Sequence, residues 1–310
     1  MMIAPGFVGI DVSKHHLDVF DPASDTPTRL ANTADAVTEL AQDWAQRDAF
    51  VLFEATGRYD LDLRHVLAAA GVRFARVNPA RARDFARSAG FLAKTDAVDA
   101  KMLAAMAQCL QPPTAEAVFE ARERLACLNK RRDQLVATRQ QERTRERECR
   151  DTVSRQSIAA HLAWLNAAIG AIEAQIAAAI AQEPDLEQDR RLLVSVPGVG
   201  SVTAATLLAL LPELGRRSPK QLAALAGLAP YNNDSGARRG QRSIRGGRKR
   251  VRDALYVAAF IATRHAARFR AFFKVLIAAG KPRKLALVAV ARKLLTVLNA
   301  ILRDRQPFHA

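Results

Sequence analysis

Residues 7–20 read FVGIDVSKHHLDVF, and residues 50–54 read FVLFE. In the first stretch the apolar runs 7–12 and 17–20 flank a polar turn, Ser13-Lys14-His15-His16, which predicts two short paired strands. Alternation of side chains along a strand puts Asp11 on the face opposite Ile10 and Val12. A third strand is expected near Thr28–Ala31. Residues 34–47 carry Ala36, Leu40 and Trp44 at helical spacing. The continuous apolar run at 50–54 predicts a strand covered on both faces and ending in Glu54. A helix is expected from about Tyr59 to Ala70, stopped by Gly71, then a strand over Val72–Val77. Pro79 opens a further helix, and Asp96–Leu110 forms another ahead of Pro112-Pro113. A strand meander followed by alternating helices and strands predicts an α/β domain with a mixed sheet over residues 1–113.

Four acids in this domain carry the chemistry. Asp11 and Glu54 end apolar strands, and Asp96 and Asp99 lie three apart on one helix face. Carboxylates at the ends of buried strands are costly without a partner, and two like charges on one helix face repel. A hard cation, Mg²⁺ or Mn²⁺, relieves both costs through carboxylate oxygens. A pair of such ions would make a phosphodiester-cutting centre. Each acid alone is better explained by a cap or a solvated edge residue; together they favour a metal site.

Residues 116–182 hold no proline and one glycine. Leu125, Leu128, Leu135 and Val136, then Leu162, Leu165, Ile169, Ile172, Ile176 and Ile180, give an apolar stripe across two long helices. An antiparallel hairpin that dimerises as a coiled coil and a plain bundle that fills a core remain equal readings over 114–183. Residues 184–310 form the third part, mostly α. Pro197-Gly198-Val199-Gly200 between two apolar helices resembles a helix-hairpin-helix turn, whose glycines Gly198 and Gly200 would let backbone N–H groups reach a phosphate. Residues 216–252 read as loop-rich, and helices are expected over about 251–269 and 284–303. Between Arg238 and Arg252 lie eight Lys and Arg interleaved with Gly236, Gly240, Gly246 and Gly247. Arg238, Arg239, Arg242, Arg245, Arg248, Lys249 and Arg250 are the expected nucleic-acid contacts, with Gly236 allowing close approach. Ser235 precedes them in a polar loop.

The charge is uneven. Residues 216–310 hold 22 Lys and Arg against 3 Asp and Glu, a net of +19, so the first 215 residues net −3 of the whole chain's +16. That asymmetry favours a nucleic-acid grip through phosphate contacts. Cys109, Cys127 and Cys149 make no CxxC pair, so neither zinc nor a disulfide framework is indicated, in keeping with a reducing bacterial cytoplasm. The histidines form no HExxH pattern. No signal peptide or membrane span is expected, and no membrane partner.

GIDVSK with Asp11, FEATGRYD with Glu54, KTDAVDAKML with Asp96 and Asp99, VPGVGSVTA, LAGLAPYNNDSG with Ser235, the Gly-Arg run and VRDALYVAA occur in one order over nearly the whole chain. In this the chain resembles the DEDD transposases of insertion sequences, which are bridge-RNA-guided serine recombinases. The first half alone is similar to RuvC-type resolvases. The resemblance implies a ribonuclease-H-like (RuvC-like) domain binding Mg²⁺ through Asp11, Glu54, Asp96 and Asp99. It implies Ser235 as the nucleophile that forms a phosphoserine link, donor and target DNA as substrates, and a noncoding guide RNA that chooses sequence. It also implies a homo-oligomer, a dimer or a tetramer when DNA ends are joined, acting at the nucleoid. Gly246-Gly247-Arg248 departs from the family's glycine followed by a small polar residue. The other readings open to the residues are a metal-dependent structure-specific endonuclease, which leaves Ser235 idle, and a non-catalytic nucleic-acid-binding protein.

Overall fold

The apolar run Phe7–Val12 forms strand β1, and the polar turn after it returns the chain into β2, His16–Phe20. Ser13 closes that turn: its N–H and hydroxyl donate to the His16 carbonyl at 2.9 and 2.8 Å, and the His16 N–H donates to Ser13 Oγ at 3.0 Å. β3 (Thr28–Ala31) pairs antiparallel with β2. After helix α1 (Ala34–Gln46), β4 (Phe50–Glu54) pairs parallel to β1 on its other side. After α2 (Leu61–Ala69), β5 (Arg73–Val77) pairs parallel to β4. The sheet order is β3-β2-β1-β4-β5, the mixed sheet expected.

Period two sorts the sheet's faces. Val8, Ile10, Val12, Leu17, Val19, Val51, Phe53 and Phe74 pack with Val37 and Trp44 of α1 and Leu63 and Leu67 of α2. On the other face Phe50, Leu52, Ala75 and Val77 meet α3 (Pro79–Ser88) and α4 (Asp96–Leu110) through Ala82, Met102, Leu103 and Met106. α2 starts at Leu61, two residues later than expected. Asp60 ahead of it is fully buried, and Arg64 at 3.2 Å and Arg76 at 2.7 Å neutralise it.

The computed structural model describes residues 2–24, 27–57, 59–91, 95–115, 120–231 and 243–308. They fall into two units, 1–118 and 119–310. In the second, α5 (Glu120–Glu148) and α6 (Thr152–Ala181) form the expected hairpin. Its base shares a core with the rest of the unit: Leu125, Ile176 and Ile180 lie against α7 (Pro184–Val194), α8 (Ser201–Leu210), α9 (Pro219–Leu225), α10 (Lys249–His265), α11 (Ala267–Ala278) and α12 (Arg283–Asp304). Farther out, Leu135, Leu165 and Ile169 make a separate small cluster. The base of the hairpin therefore fills a core, as the plain-bundle reading expected.

Two expectations here are corrected. The stretch taken as loop contains α9, which begins with Pro219 behind a Ser218–Gln221 capping box. The helix expected over 251–269 breaks at Ala266, whose φ of −121° and ψ of 121° are extended. By length and composition alone α6 and α12 could cross a membrane, a property that buried core helices share. α12 is a core helix, with Val290, Leu294 and Leu298 buried, and α6 lies along α5.

Candidate active site

Strand register assembles one side of the site. Asp11 is opposite Asp18 across the β1–β2 ladder, and Asp18 is opposite Arg29 across β2–β3. Facing residues in adjacent strands share a sheet face. On the other side, β1 runs in register with β4 up to Ile10 opposite Phe53, which sets Glu54 beside Asp11. Since Ile10 and Phe53 point to α1 and α2, all four of these side chains point to the face covered by α4.

Helix α4 supplies the other acids. Thr95 caps it, accepting from the Val98 N–H at 3.3 Å, and Asp96 and Asp99 occupy its first turn. There the positive end of the helix dipole favours carboxylates. Gly9 lets that turn come close. A Cβ added at Gly9 would stand 2.0 Å from the Ala100 carbonyl oxygen and 2.4 Å from the Ala104 nitrogen. The helix backbone therefore rests directly on β1, two residues from Asp11, and only glycine permits it.

The result is a crowd of negative charge. The Asp11 carboxyl is pushed up to about 6, first by burial and then by Asp99, Asp96, Glu54 and Asp18 in turn. Three of the four expected acids thus act on the charge of the fourth, Asp11. Asp18 is a fifth carboxylate, missed by sequence reasoning although alternation along LDVF would have placed it on the Asp11 face. Arg29 was missed as well. Its Nε and Nη2 donate to Asp18 Oδ1 and Oδ2 at 2.9 and 3.0 Å, and Nη2 donates to Asp96 Oδ2 at 2.7 Å.

In donor chemistry and charge this set fits a hard divalent cation. The arrangement is not that of a gathered ligand shell: among the described residues no three Asp, Glu, His or Cys side chains are close enough together to hold one ion. Asp96 is instead engaged by Arg29.

In the second unit, β6 (Pro230–Tyr231) and β7 (Ser243–Ile244) pair antiparallel and bracket residues 232–242. Ser235, Gly236, Arg238, Arg239 and Arg242 lie outside the described residues. Of the expected phosphate contacts, two are turned into the fold. Arg248 forks onto Glu213 at 2.5 and 2.6 Å. Burial opposes ionisation of Glu213, and the Arg248 fork outweighs it and holds the carboxyl below its usual range. Arg250 forks onto Asp133 of α5, one arm at 2.9 Å, and ties the hairpin to α10. Lys249 reaches Asp253 one turn on at 2.6 Å and is exposed. Arg245 lies 5.4 Å above the Tyr231 ring, on the ribbon that brackets the Ser235 segment.

The two glycines of the PGVG turn differ. A Cβ at Gly198, whose φ is +98°, would stand 2.5 Å from the Ala258 carbonyl oxygen of α10, so its bareness serves packing. Gly200 is exposed, with nothing within 4 Å of its Cβ position, and caps α8. The departure at Gly246-Gly247 also has a packing reason: a Cβ on Gly247 would stand 2.2 Å from the Gly227 nitrogen.

The chain is similar to known proteins over 97% of its length. Residues 8–153 match a transposase family of the DEDD IS110 type, and residues 190–274 match the Transposase IS116/IS110/IS902 family. The pilin gene-inverting protein of Moraxella bovis is 30% identical over 315 residues, covering 97% of each chain. Its counterpart in Moraxella lacunata matches to the same extent. An uncharacterized 43.6 kDa protein of insertion element IS110 from Streptomyces coelicolor is 35% identical over 151 residues, 48% of this chain and 36% of that one.

Proposed function

The chain belongs to the IS110/IS116 family of transposases, and from that premise we propose that it cuts and rejoins DNA at the ends of an insertion element through a serine-linked intermediate. A DEDD transposase domain implies dependence on a divalent metal, Mg²⁺ in the first instance. Asp11, Glu54, Asp96 and Asp99 would hold that ion. The observation that carries this reading is the raised proton affinity of Asp11, caused by burial and by the other three acids converging on it together with Asp18. Crowded carboxylates on one sheet face are expensive unless a cation is their purpose.

The bound ion would polarise the scissile phosphate and lower the charge opposing attack. The Ser235 Oγ would attack phosphorus. A Ser–O–P bond would form, one P–O bond to the DNA sugar would break, and the serine's proton would end on the departing sugar oxygen. Religation is the reverse with a new sugar hydroxyl, so the bond energy is kept and no nucleotide cofactor is needed. Arg245 beside Tyr231, with Arg238, Arg239 and Arg242, would hold the backbone, and Gly200 with the α8 N-terminus would take a further phosphate. Relatives named for inverting a gene support rejoining as well as cutting, since an inversion needs both. The family resemblance of the motifs supports a guide RNA as the sequence reader. The hairpin would join copies through α6, where Trp164 stands 57% exposed. Such an enzyme works in the cytoplasm, at the DNA.

The test is joined-product formation on element-end DNA with Mg²⁺ and the element's noncoding RNA. Recombinant junctions that vanish in Asp11→Asn and Ser235→Ala support the reading. Cut, unjoined ends that survive Ser235→Ala would instead make the protein a metal-dependent endonuclease.

A further inference from the structure

We propose that Arg29 is the resident counter-cation of the acidic site: it stays forked on Asp18 and yields Asp96 to the divalent ion. The inference rests on the metal reading above and adds a positioning residue to it.

The ladder places the three residues. Asp11, Asp18 and Arg29 face one another across β1, β2 and β3. Asp18 is buried, its side chain 12% exposed, and a carboxylate there needs a partner. The Arg29 fork supplies two charge-assisted bonds at 2.9 and 3.0 Å. Its Nη2 is shared, with a third bond of 2.7 Å to Asp96. The asymmetry decides which bond can exchange. Asp96 is 58% exposed and can leave Arg29 for another cation with its hydration largely intact. Asp18 cannot leave without a buried charge being stranded. An exposed pair such as Arg29–Asp96 is worth a few-fold in an equilibrium at most, so an ion held by several carboxylates would take Asp96 over.

The test is Mn²⁺ titration of the full chain without DNA, read by calorimetry and by the loss of the free-ion electron paramagnetic signal. The double variant Asp18→Asn, Arg29→Gln removes one charge of each sign, so the net charge is unchanged and the hold on Asp96 is lost. It is expected to bind Mn²⁺ about threefold tighter than wild type, the worth of one exposed ion pair. If the double variant does not fold, Arg29→Lys decides: a lysine keeps the charge on Asp18 but has no fork to share, and it is expected to shift affinity in the same direction. Equal or weaker binding in the deciding variant overturns the proposal, because Arg29 would then be inert or would be presenting Asp96 to the ion. Asp11→Asn is the control for the metal reading itself. If wild type and Asp11→Asn take up Mn²⁺ alike, that reading fails whatever Arg29 does.

Discussion

Replacing Gly9 by alanine should damage the site without touching a carboxylate. The added Cβ would lie 2.0 Å from the Ala100 oxygen, 2.4 Å from the Ala104 nitrogen and 3.1 Å from the Ala100 carbonyl carbon. Every one of these is backbone, so no side chain can swing away. Relaxed contacts sit at roughly 3.5 Å, so α4 must retreat from β1 by about 1.5 Å. Overpacking of this kind costs about 1–3 kcal/mol. The same shift carries Asp96 and Asp99 away from Asp11, and a misplacement of about 1 Å at a reacting centre can cost on the order of a hundredfold in rate. Gly6 is the control, three residues earlier in the turn ahead of β1, with nothing within 4 Å of its Cβ position. Gly6→Ala should stay within about 0.5 kcal/mol of wild type. Urea unfolding gives the stability change, and junction formation with Mg²⁺ gives the rate. A Gly9→Ala protein with wild-type stability and wild-type rate would refute the direct seating of α4 on β1 and the site built on it.

Other consequences follow from charges. Because the folded Asp11 carboxyl lies near 6, above its ordinary value of 3.8, the folded state binds the proton more tightly; without metal, its contribution to stability is present below about pH 4 and is lost as pH rises to about 6. Asp11→Asn should flatten that part of a urea-midpoint profile, and an unchanged slope between pH 4 and 6 would contradict it. Arg248→Ala strands the half-buried Glu213 and should cost about 1–2 kcal/mol in urea unfolding, with the exposure of Arg248 keeping the figure below that of a fully buried pair. Arg245→Ala should leave stability unchanged and lower the log–log salt slope of DNA binding by roughly 0.9, the share of one phosphate. If Arg245→Ala destabilises the fold, or Arg248→Ala changes only the salt slope, the division between structural and DNA-facing arginines is wrong.

The sheet could be read from its apolar runs, because a strand's period of two is local. The same period put Asp11 on the face away from Ile10, and the spacing of Asp96 and Asp99 put them on one helix face. What closes the site is not local. The Asp11–Asp18–Arg29 ladder depends on strand register set by the Ser13–His16 turn, and the seating of α4 depends on a glycine 91 residues before Ala100. The Gly-Arg run looked uniformly basic because the partners of Arg248 and Arg250 lie 35 and 117 residues away. The break at Ala266 had no signal: alanine and arginine on both sides favour helix. α9 did have one, in the Ser218–Gln221 box with Pro219 inside it. The PGVG turn looked like a phosphate cradle, and half of it is a packing contact with α10 that only the fold makes.

The central claim is a covalent serine–DNA intermediate made at an acid-held metal site. It is tested most directly by trapping. Element-end DNA carrying a nicked suicide site is incubated with the full chain, Mg²⁺ and the noncoding RNA, and the protein is digested and analysed by mass spectrometry. A nucleotide adduct is expected on the peptide containing Ser235, absent without Mg²⁺ and absent in Ser235→Ala and Asp11→Asn. An adduct on another residue, or DNA cut with metal but never attached to the protein, would contradict it.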